Sequence, residues 1–362
     1  MELYLDANAH LPMSKIALKA LSDFNGSKAG HGNPSSPGAP GRLASLAIEE
    51  AREQIASLLG AKEADQIVFT YSCTQACEWA CILLHNASKT NYHISPTEHA
   101  AINQPALEWF RALDPYDTTD DLKEIPINPN GVITNFDYSN DSVVCIYVQN
   151  EIGIIQPLHN IKSKFLLSDF CQAPGKVKFN LSELPVDFAT FSAHKFQGPG
   201  NLGLMYIKDS SHWKEFGTGS RYYRDRAGSI DPASIIATAA ALKEAMDTFD
   251  ERQTKMLDFR DILETGLTNM GVQIIAKDAE RSPNTTFLKL GEGKGLEALV
   301  GLDEQGISTA LGSACSGLVS KSPLMEKLGI SGNAHSFMRI SQWGQYGKKE
   351  AQFVLDKIRK YI

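Results

Sequence analysis

Cysteine is scarce in this chain, and long hydrophobic runs are absent. Six cysteines among 362 residues are too few for a disulfide-stabilised scaffold, so we expect reduced thiols and a cytoplasmic protein. No apolar run reaches the roughly 18 residues that a membrane-spanning helix needs, and we expect no membrane partner. The first ten residues have no basic region followed by an apolar stretch, so we expect no signal peptide.

An excess of basic charge is also absent. The chain has 35 basic and 42 acidic residues and a formal net charge of −7, which argues against direct nucleic-acid binding. Hydrophobic residues make up 43% and charged residues 21%, values typical of a globular protein. The length suggests two domains of about 150 residues each or one large domain.

Short apolar runs alternate with helical patterns along the first two thirds of the chain. The runs are rich in β-branched and aromatic residues and are apolar on both faces, as in a parallel sheet covered on both sides. One clear helical pattern spans 41–60. The alternation predicts an α/β fold with a mainly parallel sheet flanked by helices. Strands are predicted at 66–70, 91–95, 143–148, 165–168, 186–192 and 202–207.

The pattern changes after an alanine-rich helical stretch that follows Pro232 and runs to about residue 267. Strand, helix and short apolar segments follow it to the end of the chain. We therefore predict a large domain over 13–246 and a smaller α+β domain made of 1–12 and 247–362.

Polar residues follow five of the predicted strands at the point where each strand ends. Ligands of open α/β sheets bind outside the carboxyl ends of the strands, so these residues predict one common site. A single polar residue there would be an ordinary turn or cap, but five such groups are not explained in that way. The residues are Cys73, Thr74, His99, Asn150, Asp169, Gln172, Ser192, His194 and Lys195.

The residue types at these strand ends indicate the chemistry of the ligand. Small residues at 72–74 open a helix and offer backbone N–H groups to a phosphate. Asp169 at a buried strand end needs a cation or donor opposite it. Lys195 in a glycine-flanked turn is an amine nucleophile that forms Schiff bases with carbonyls. Phosphate cradle, carboxylate and lysine together match pyridoxal phosphate (PLP).

Other cofactor and metal sites find no support in the sequence. No Gly-x-Gly-x-x-Gly motif follows any predicted strand, and no nucleotide-binding P-loop occurs. Cys73, Cys77 and Cys81 repeat every four residues along one helical face, but a metal site would need a fourth ligand and other spacing. We therefore interpret these cysteines as small buried thiols and expect no metal.

A set of short motifs in a fixed order resembles the NifS/IscS-type cysteine desulfurases. These enzymes belong to the class V aminotransferase branch of the fold-type I PLP enzymes, so the resemblance implies the PLP-dependent transferase fold type I. The motifs are Tyr4–Ala9, Gly32–Ser36, Glu98–His99, Asn150–Gly153, Asp169–Ala173, Ser192–Lys195, Arg226–Ser229, Gly312–Cys315 and Arg339–Ser341.

The resemblance implies a role in PLP binding for each matching residue. Lys195 would bind the PLP aldehyde, Asp169 the ring nitrogen and Gln172 the ring hydroxyl. His99 would stack on the ring and serve in proton transfer. The phosphate and the remaining cofactor contacts would fall to Cys73 through its backbone, Thr74, Asn150, Ser192, His194 and Ser229 of the partner subunit.

The resemblance further implies the substrate, the nucleophile and the partners. Asn33, Asn150 and Arg339 would hold the carboxylate of L-cysteine, since the planar guanidinium pairs bidentately with a carboxylate. Cys315, among small neighbours, would attack the substrate sulfur and leave a Cys315 persulfide and alanine. The protein would be a homodimer and deliver sulfur to an acceptor protein. Iron–sulfur cluster assembly, tRNA thiolation and DNA sulfur modification all remain open as pathways.

Two departures from the family pattern keep other functions open. Ser72 stands where the family usually has glycine, and without glycine's easy access to positive φ we expect a loop of different shape. Residues 220–225 also differ. The alternatives are another class V PLP enzyme, namely a selenocysteine lyase or an aminotransferase, and a catalytically silent relative with a binding role. An aminotransferase has no chemical use for Cys315.

Overall fold

The protein is described from a computed structural model, which covers residues 2–88, 90–110, 122–215, 230–312 and 323–362. Within these ranges the helices are α1 Lys15–Asn25, α2 Ala39–Leu59, α3 Cys73–Ala87, α4 Ala100–Trp109, α5 Ser211–Glu215, α6 Pro232–Asp247, α7 Phe249–Asn269, α8 Lys294–Asp303, α9 Pro323–Lys327 and α10 Lys348–Ile358. The strands are β1 Leu3–Tyr4, β2 Ile67–Thr70, β3 Tyr92–Ile94, β4 Leu122–Glu124, β5 Asp137–Val144, β6 Lys162–Asp169, β7 Phe188–Ser192, β8 Gly203–Ile207, β9 Gln273–Ile274, β10 Thr285–Lys289, β11 Ile307–Ser308 and β12 Phe337–Ser341.

A seven-stranded sheet forms the centre of the fold, with strand order β2-β8-β7-β6-β5-β3-β4. The pairs β7-β6, β6-β5, β5-β3 and β3-β4 are parallel. Strand β8 runs antiparallel to both of its neighbours, β2 and β7. This confirms the predicted α/β class with a mainly parallel sheet. Each of the six predicted strands overlaps an observed strand of this sheet.

Both faces of the central sheet are covered, which explains the continuous apolar runs in its strands. Val143 and Leu166 pack on one face into a core shared with α2 and α6. Val144 and Leu167 pack on the other face with α3 and α4. Because successive side chains of a strand point to opposite faces, burial on both sides needs apolar residues at consecutive positions.

The alanine-rich stretch after Pro232 forms two helices, whereas the sequence predicted one continuous segment. Thr248 separates α6 from α7, and its backbone leaves the helical region at φ −101° and ψ 13°. The Thr248 hydroxyl donates to the Glu244 carbonyl at 2.7 Å and accepts from Arg252 Nε at 3.0 Å. A threonine that bonds back to the preceding turn offers the backbone an alternative to the helical pattern.

Two smaller sheets are formed by the C-terminal strands together with the N-terminal strand β1. One has the antiparallel order β12-β10-β9, and the other pairs β1 with β11 in parallel. The N-terminal strand therefore pairs with a strand some 300 positions away, at Leu3–Ile307. Apolar residues of α7, α8 and α10 form a separate core over these sheets. Among the described residues, none of the helices combines the length and the hydropathy needed to cross a bilayer.

A buried ion pair ties α7 to the start of β10. Arg281 donates from Nη1 and Nη2 to the two carboxylate oxygens of Glu264 at 2.9 and 2.8 Å. Their side chains are only 4% and 9% exposed. The backbone of Arg281 also forms an isolated β-bridge with Ile154. The ion pair therefore supports the turn that follows Asn150.

We expect Arg281→Met to destabilise the protein by about 3–5 kcal/mol, because removing one partner leaves the Glu264 carboxylate buried without its cation. Urea unfolding followed by circular dichroism measures this loss. The matched control is Lys255→Met, which removes a surface pair with Glu251 and should cost less than about 1 kcal/mol. Equal losses in the two variants would contradict the assigned importance of the buried pair.

Candidate active site

The carboxyl ends of the central strands surround a cavity of about 260 Å³. All nine residues predicted from strand ends line it, together with residues from the N-terminal segment and from β12. The lining residues are Asn8, Ala9, Cys73, Thr74, His99, Ala101, Ile146, Asn150, Asp169, Cys171, Gln172, Ser192, His194, Lys195 and Arg339.

Lys195 lies in a short 3-10 turn directly after β7. Its Nζ donates to the backbone carbonyls of Asn8 and Ala9 at 2.7 and 2.5 Å. Burial lowers the pKa of this amine below its usual value. A buried cation is disfavoured, so a larger share of the amine is neutral and nucleophilic near neutral pH than for an exposed lysine.

Asp169 is the last residue of β6 and is only 4% exposed. Its Oδ1 accepts the backbone N–H of Cys171 at 2.8 Å. Burial, and next the charge of the Cys73 thiolate, raise the pKa of Asp169 to about 7. Ionising this buried carboxyl group costs free energy, and a cationic group of a ligand placed beside it would offset that cost.

The N-terminus of α3 opens into the cavity through Cys73 and Thr74. Ser72 caps this helix, and its hydroxyl accepts the N–H of Gln75 at 3.2 Å. Ser72 has φ −160°, which is ordinary extended backbone, so the absence of glycine here needs no unusual conformation. The glycine that this packing does need is Gly203 on β8, where a Cβ would lie 2.4 Å from the Ser72 backbone.

Two histidines line the cavity in neutral form. His99 caps α4, and its Nδ1 accepts the N–H of Ala101 at 3.1 Å, which places the ring proton on Nε2. Burial lowers the pKa of His99. Burial and then the charge of Lys195 lower the pKa of His194 to about 3. His194 Nδ1 lies 3.0 Å from the Ser192 hydroxyl.

Arg339 on β12 brings a buried guanidinium to the cavity lining. It is 1% exposed, donates from Nη2 to Asp6 Oδ1 at 2.6 Å and from Nη1 to the Asn150 carbonyl at 3.1 Å. Its Nε is buried and has no hydrogen-bond partner among the described residues. The guanidinium therefore keeps donor capacity for a ligand carboxylate.

The structure does not bring every predicted site residue to this cavity. Asn33 is exposed, is not part of the cavity lining, and its Oδ1 accepts the N–H of Ser35 at 2.9 Å. Cys315 and Ser229 lie outside the described residues. The roles given to these three residues stay predictions.

Asn8 is a hub of the site to which sequence analysis gave no role. Its carbonyl accepts from Lys195 Nζ at 2.7 Å and from Gln172 Nε2 at 3.0 Å. Its own Nδ2 donates to the Asn150 carbonyl at 3.1 Å and to Thr285 Oγ1 at 2.8 Å. Asn8 therefore joins the turns that carry Lys195, Gln172 and Asn150. Its place in the Tyr4–Ala9 motif was the available signal.

A second lysine lies behind the cavity wall and was also missed. Lys176 is fully buried, and burial holds its pKa well below the usual value. Its Nζ donates to Gln172 Oε1 at 2.5 Å and lies 3.4 Å from Asn8 Oδ1. Because Oε1 accepts from Lys176 and Nε2 donates to the Asn8 carbonyl, the orientation of the Gln172 amide is fixed.

The donor set of the cavity fits PLP. Asp169 offers a carboxylate that needs a cation, and the pyridinium nitrogen is one. Lys195 offers an amine of lowered pKa for the aldehyde. The α3 N-terminus, with Thr74, offers N–H groups for the phosphate. The unpartnered Nε of Arg339 is available to the carboxylate of an amino acid.

Comparison with known proteins gives a consistent family assignment for nearly the whole chain. The family model Aminotransferase class-V matches residues 3–351. The cysteine desulfurase of Sinorhizobium fredii (strain NBRC 101917 / NGR234) is 30% identical and covers 90% of this chain and 87% of its own. The cysteine desulfurase IscS of Dictyoglomus turgidum (strain DSM 6724 / Z-1310) is 29% identical over 100% of this chain and 94% of its own. A solved NifS-like protein superposes with a TM-score of 0.86 at 26% identity, over 99% of both chains.

Proposed function

The chain belongs to the class-V aminotransferase family, and from that membership we propose that it is a PLP-dependent cysteine desulfurase that converts L-cysteine to L-alanine. The observation that carries the proposal is the meeting of Lys195, Asp169 and Arg339 in one cavity. The similarity to cysteine desulfurases over the whole chain supports the same reaction.

We propose that PLP is held by the residues at the carboxyl ends of β6 and β7 and by the start of α3. Lys195 binds the aldehyde, Asp169 pairs with the ring nitrogen, and Gln172 donates from Nε2 to the ring hydroxyl. When bound by these residues, PLP would supply an electron sink that makes the Cα–H bond of the amino acid more acidic. The phosphate contacts fall to Thr74, Ser192, His194 and the Cys73 backbone, with Ser229 of the partner subunit.

Proton movements at the site involve Lys195 and His99. Burial lowers the pKa of both groups, which increases the fraction of each that is neutral and able to accept a proton. His99 carries its proton on Nε2 because Nδ1 is occupied by Ala101 N–H. We propose that Lys195 takes the Cα proton, and that His99 would stack on the cofactor ring and serve in proton transfer.

The substrate carboxylate is bound by Arg339, with Asn150 beside it in the cavity. The substrate contact assigned to Asn33, which lies outside the cavity lining, stays a prediction. Asp6 and the Asn150 carbonyl each hold one end nitrogen of the guanidinium and so fix its plane. A fixed planar fork pairs with a carboxylate in one orientation, which sets the direction of the substrate side chain.

Arg339→Lys should raise KM for L-cysteine and lower kcat/KM by about 30-fold or more, because an ammonium cannot replace the bidentate pair. Bound PLP, measured by absorbance, should be unchanged. The control is Arg359→Lys, in the short 3-10 turn that follows α10. An unaltered KM in Arg339→Lys would place the substrate carboxylate elsewhere.

We propose that Cys315 is the nucleophile. Its thiolate attacks the sulfur of the substrate, and an S–S bond forms as the Cβ–S bond of cysteine breaks. A proton added to Cβ then completes the methyl group of alanine. The persulfide on Cys315 then passes its outer sulfur to an acceptor protein. The similarity to relatives named cysteine desulfurase supports this chemistry, and iron–sulfur cluster assembly, tRNA thiolation and DNA sulfur modification all stay open as the pathway of the acceptor.

We further propose a homodimer, a cytoplasmic location and the domain division 13–246 against 1–12 with 247–362. The Ser229 contact requires the second subunit. The break between α6 and α7 at Thr248 and the pairing of β1 with β11 support the division.

The test is product analysis with L-cysteine, added PLP and a reductant. We expect alanine and sulfide in equal amounts, and a mass increase of one sulfur on the Cys315 peptide when reductant is omitted. Cys315→Ala should reduce alanine formation by at least about 100-fold. The matched control, Cys145→Ala, changes a buried cysteine directly after β5 and should keep the activity.

Other outcomes identify the alternatives. Alanine formation that survives in Cys315→Ala with selenocysteine as the better substrate would indicate a selenocysteine lyase. A keto acid instead of alanine would indicate an aminotransferase. A folded protein that retains no PLP would indicate a silent relative.

A further inference from the structure

Two cysteines from distant parts of the chain meet inside the cavity. Cys73 is the first residue of α3, and Cys171 follows Asp169 by two positions. Their Sγ atoms are 2.9 Å apart, although 98 positions separate them in the chain. This distance is below the normal contact of non-bonded sulfur atoms and about 0.9 Å above a disulfide bond.

The pair is held by rigid elements rather than by a mobile loop. The N–H of Cys171 donates to Asp169 Oδ1 at 2.8 Å, which fixes its backbone at the end of β6. Cys73 is fixed by α3, where Cys77 one turn later lies 3.5 Å from Thr190 Oγ1 of β7. The two sulfur atoms therefore face each other without a rearrangement of either element.

The two thiols differ in acidity. Hydrogen bonds from the thiols of Cys171 and then Cys77 lower the pKa of Cys73 well below its usual value. The same contact raises the pKa of Cys171, which remains a protonated thiol. A thiolate beside a thiol is the arrangement in which one sulfur is oxidised first and the other resolves it.

Only some of the cysteines in the described part of the chain are reachable. Cys73 and Cys171 are partly exposed and line the cavity, whereas Cys77, Cys81 and Cys145 are fully buried. A small oxidant that enters the cavity meets the pair beside Lys195. A cofactor seated on Asp169 and Lys195 would occupy the same space.

We propose that Cys73 and Cys171 are an oxidisable pair that closes to a reversible disulfide when the cofactor-free protein meets a hydroperoxide, and that bound PLP shields it. The Cys73 thiolate attacks the O–O bond, an S–O bond forms, and hydroxide leaves and is protonated. The Cys171 sulfur then attacks Cys73, the S–S bond forms, and the hydroxyl leaves as water with the Cys171 proton. Two electrons pass from the thiols to the peroxide, and a dithiol reductant reverses the step.

The pair protects the site against irreversible damage. A lone thiolate exposed to peroxide proceeds to sulfinic acid, which thiols do not reduce. Cys171 intercepts the first oxidation product, so the cofactor-free site can be restored by reduction. The disulfide itself is independent of the proposed function, and only the shielding by PLP rests on it.

The test uses the full chain with Cys315→Ala, so that Cys315 takes no part. The cofactor-free protein is treated with equimolar hydrogen peroxide. We expect loss of two free thiols, a mass decrease of about 2 Da, and a cross-linked Cys73–Cys171 peptide in a non-reducing digest. Dithiothreitol should restore both thiols. The PLP-loaded protein, with loading verified by absorbance, should form the disulfide at least about tenfold more slowly.

Two further variants keep the test sharp. Cys171→Ser should convert Cys73 to sulfinic acid instead of a disulfide, and Cys145→Ser should leave the cross-link unchanged. The proposal is overturned by a Cys73–Cys77 cross-link, by unreacted thiols, or by sulfinic acid on Cys73 in the protein that retains Cys171. Equal oxidation rates with and without bound PLP overturn the shielding. A protein that forms the disulfide but binds no PLP refutes the proposed function and not the pair.

Discussion

Lys195→Ala is expected to abolish covalent PLP binding and to lower alanine formation by about 10⁴-fold or more. The substitution removes the amine that binds the aldehyde and, with it, the proposed base for the Cα proton. Burial lowers the pKa of Lys195, and the larger neutral fraction of the amine favours both tasks. Borohydride reduction followed by peptide mapping should place PLP on the 195 peptide of the unmodified protein and nowhere in the variant.

The controls separate the loss of the amine from the loss of its charge. Lys195→Arg keeps a cation that can donate to the Asn8 and Ala9 carbonyls but offers no nucleophile, so its activity should fall as far as that of Lys195→Ala. Lys178→Ala changes an exposed lysine and should behave like the unmodified protein. Substantial activity in both Lys195 variants would refute the assignment of this residue.

Much of the site was predictable because a parallel sheet collects strand ends at one edge. Asp169 ends β6, and Lys195 follows β7, so the neighbouring positions of these strands place both residues in one cavity. The apolar runs identified the strands themselves, since burial on both faces removes the alternation of polar residues. Local pattern was sufficient wherever position in the sheet decides position in space.

Contacts between distant segments were not predictable in this way. Asn8 binds Asn150 and Thr285 across 142 and 277 positions, and nothing in its local sequence specifies those partners. In the sequence, Cys171 is one residue of the Asp169–Ala173 motif, and only the fold brings its side chain against Cys73. Pairings of this kind follow from how the sheet, α3 and the N-terminal segment pack together.

The limits of β5 and the break at Thr248 were missed for local reasons. β5 begins at Asp137, six positions before the predicted strand. The prediction missed this first half because it is polar and partly exposed. Polar residues have weak strand propensity, so the apolar pattern marked only the buried half. Thr248 interrupts a stretch of good helix formers, and its hydroxyl forms hydrogen bonds with Glu244 and Arg252 that composition does not reveal.

Asp169→Asn is expected to have two opposite effects, a loss of activity and a gain in stability. Asparagine cannot supply the charge that keeps the pyridinium nitrogen protonated, so alanine formation should fall by about 10³-fold. In the cofactor-free protein the same change removes a costly buried carboxylate. The amide oxygen of the introduced side chain can still accept the Cys171 N–H, so the local geometry is retained.

The sign of the stability effect follows from the raised pKa. Burial raises the pKa of Asp169 from 3.8 to about 7 in the folded protein. Between these values the folded state holds a proton that the unfolded state has released, so stability falls as pH rises across that window. The penalty is fully present above pH 7, where it amounts to about 4 kcal/mol, and absent below about pH 4.

Urea unfolding of the cofactor-free proteins at several pH values measures this difference. The unfolding midpoint of Asp169→Asn should exceed that of the unmodified protein at pH 8, and the two should converge toward pH 4. Asp250→Asn, at a side chain that is 84% exposed, should show no such divergence. A pH-independent difference between Asp169→Asn and the unmodified protein would mean that Asp169 carries no unusual proton, and the argument for a cationic ring opposite it would lose its electrostatic basis. The loss in free energy of unfolding caused by the buried Asp169 carboxylate therefore measures how strongly the cofactor-free site favours a cationic ligand group.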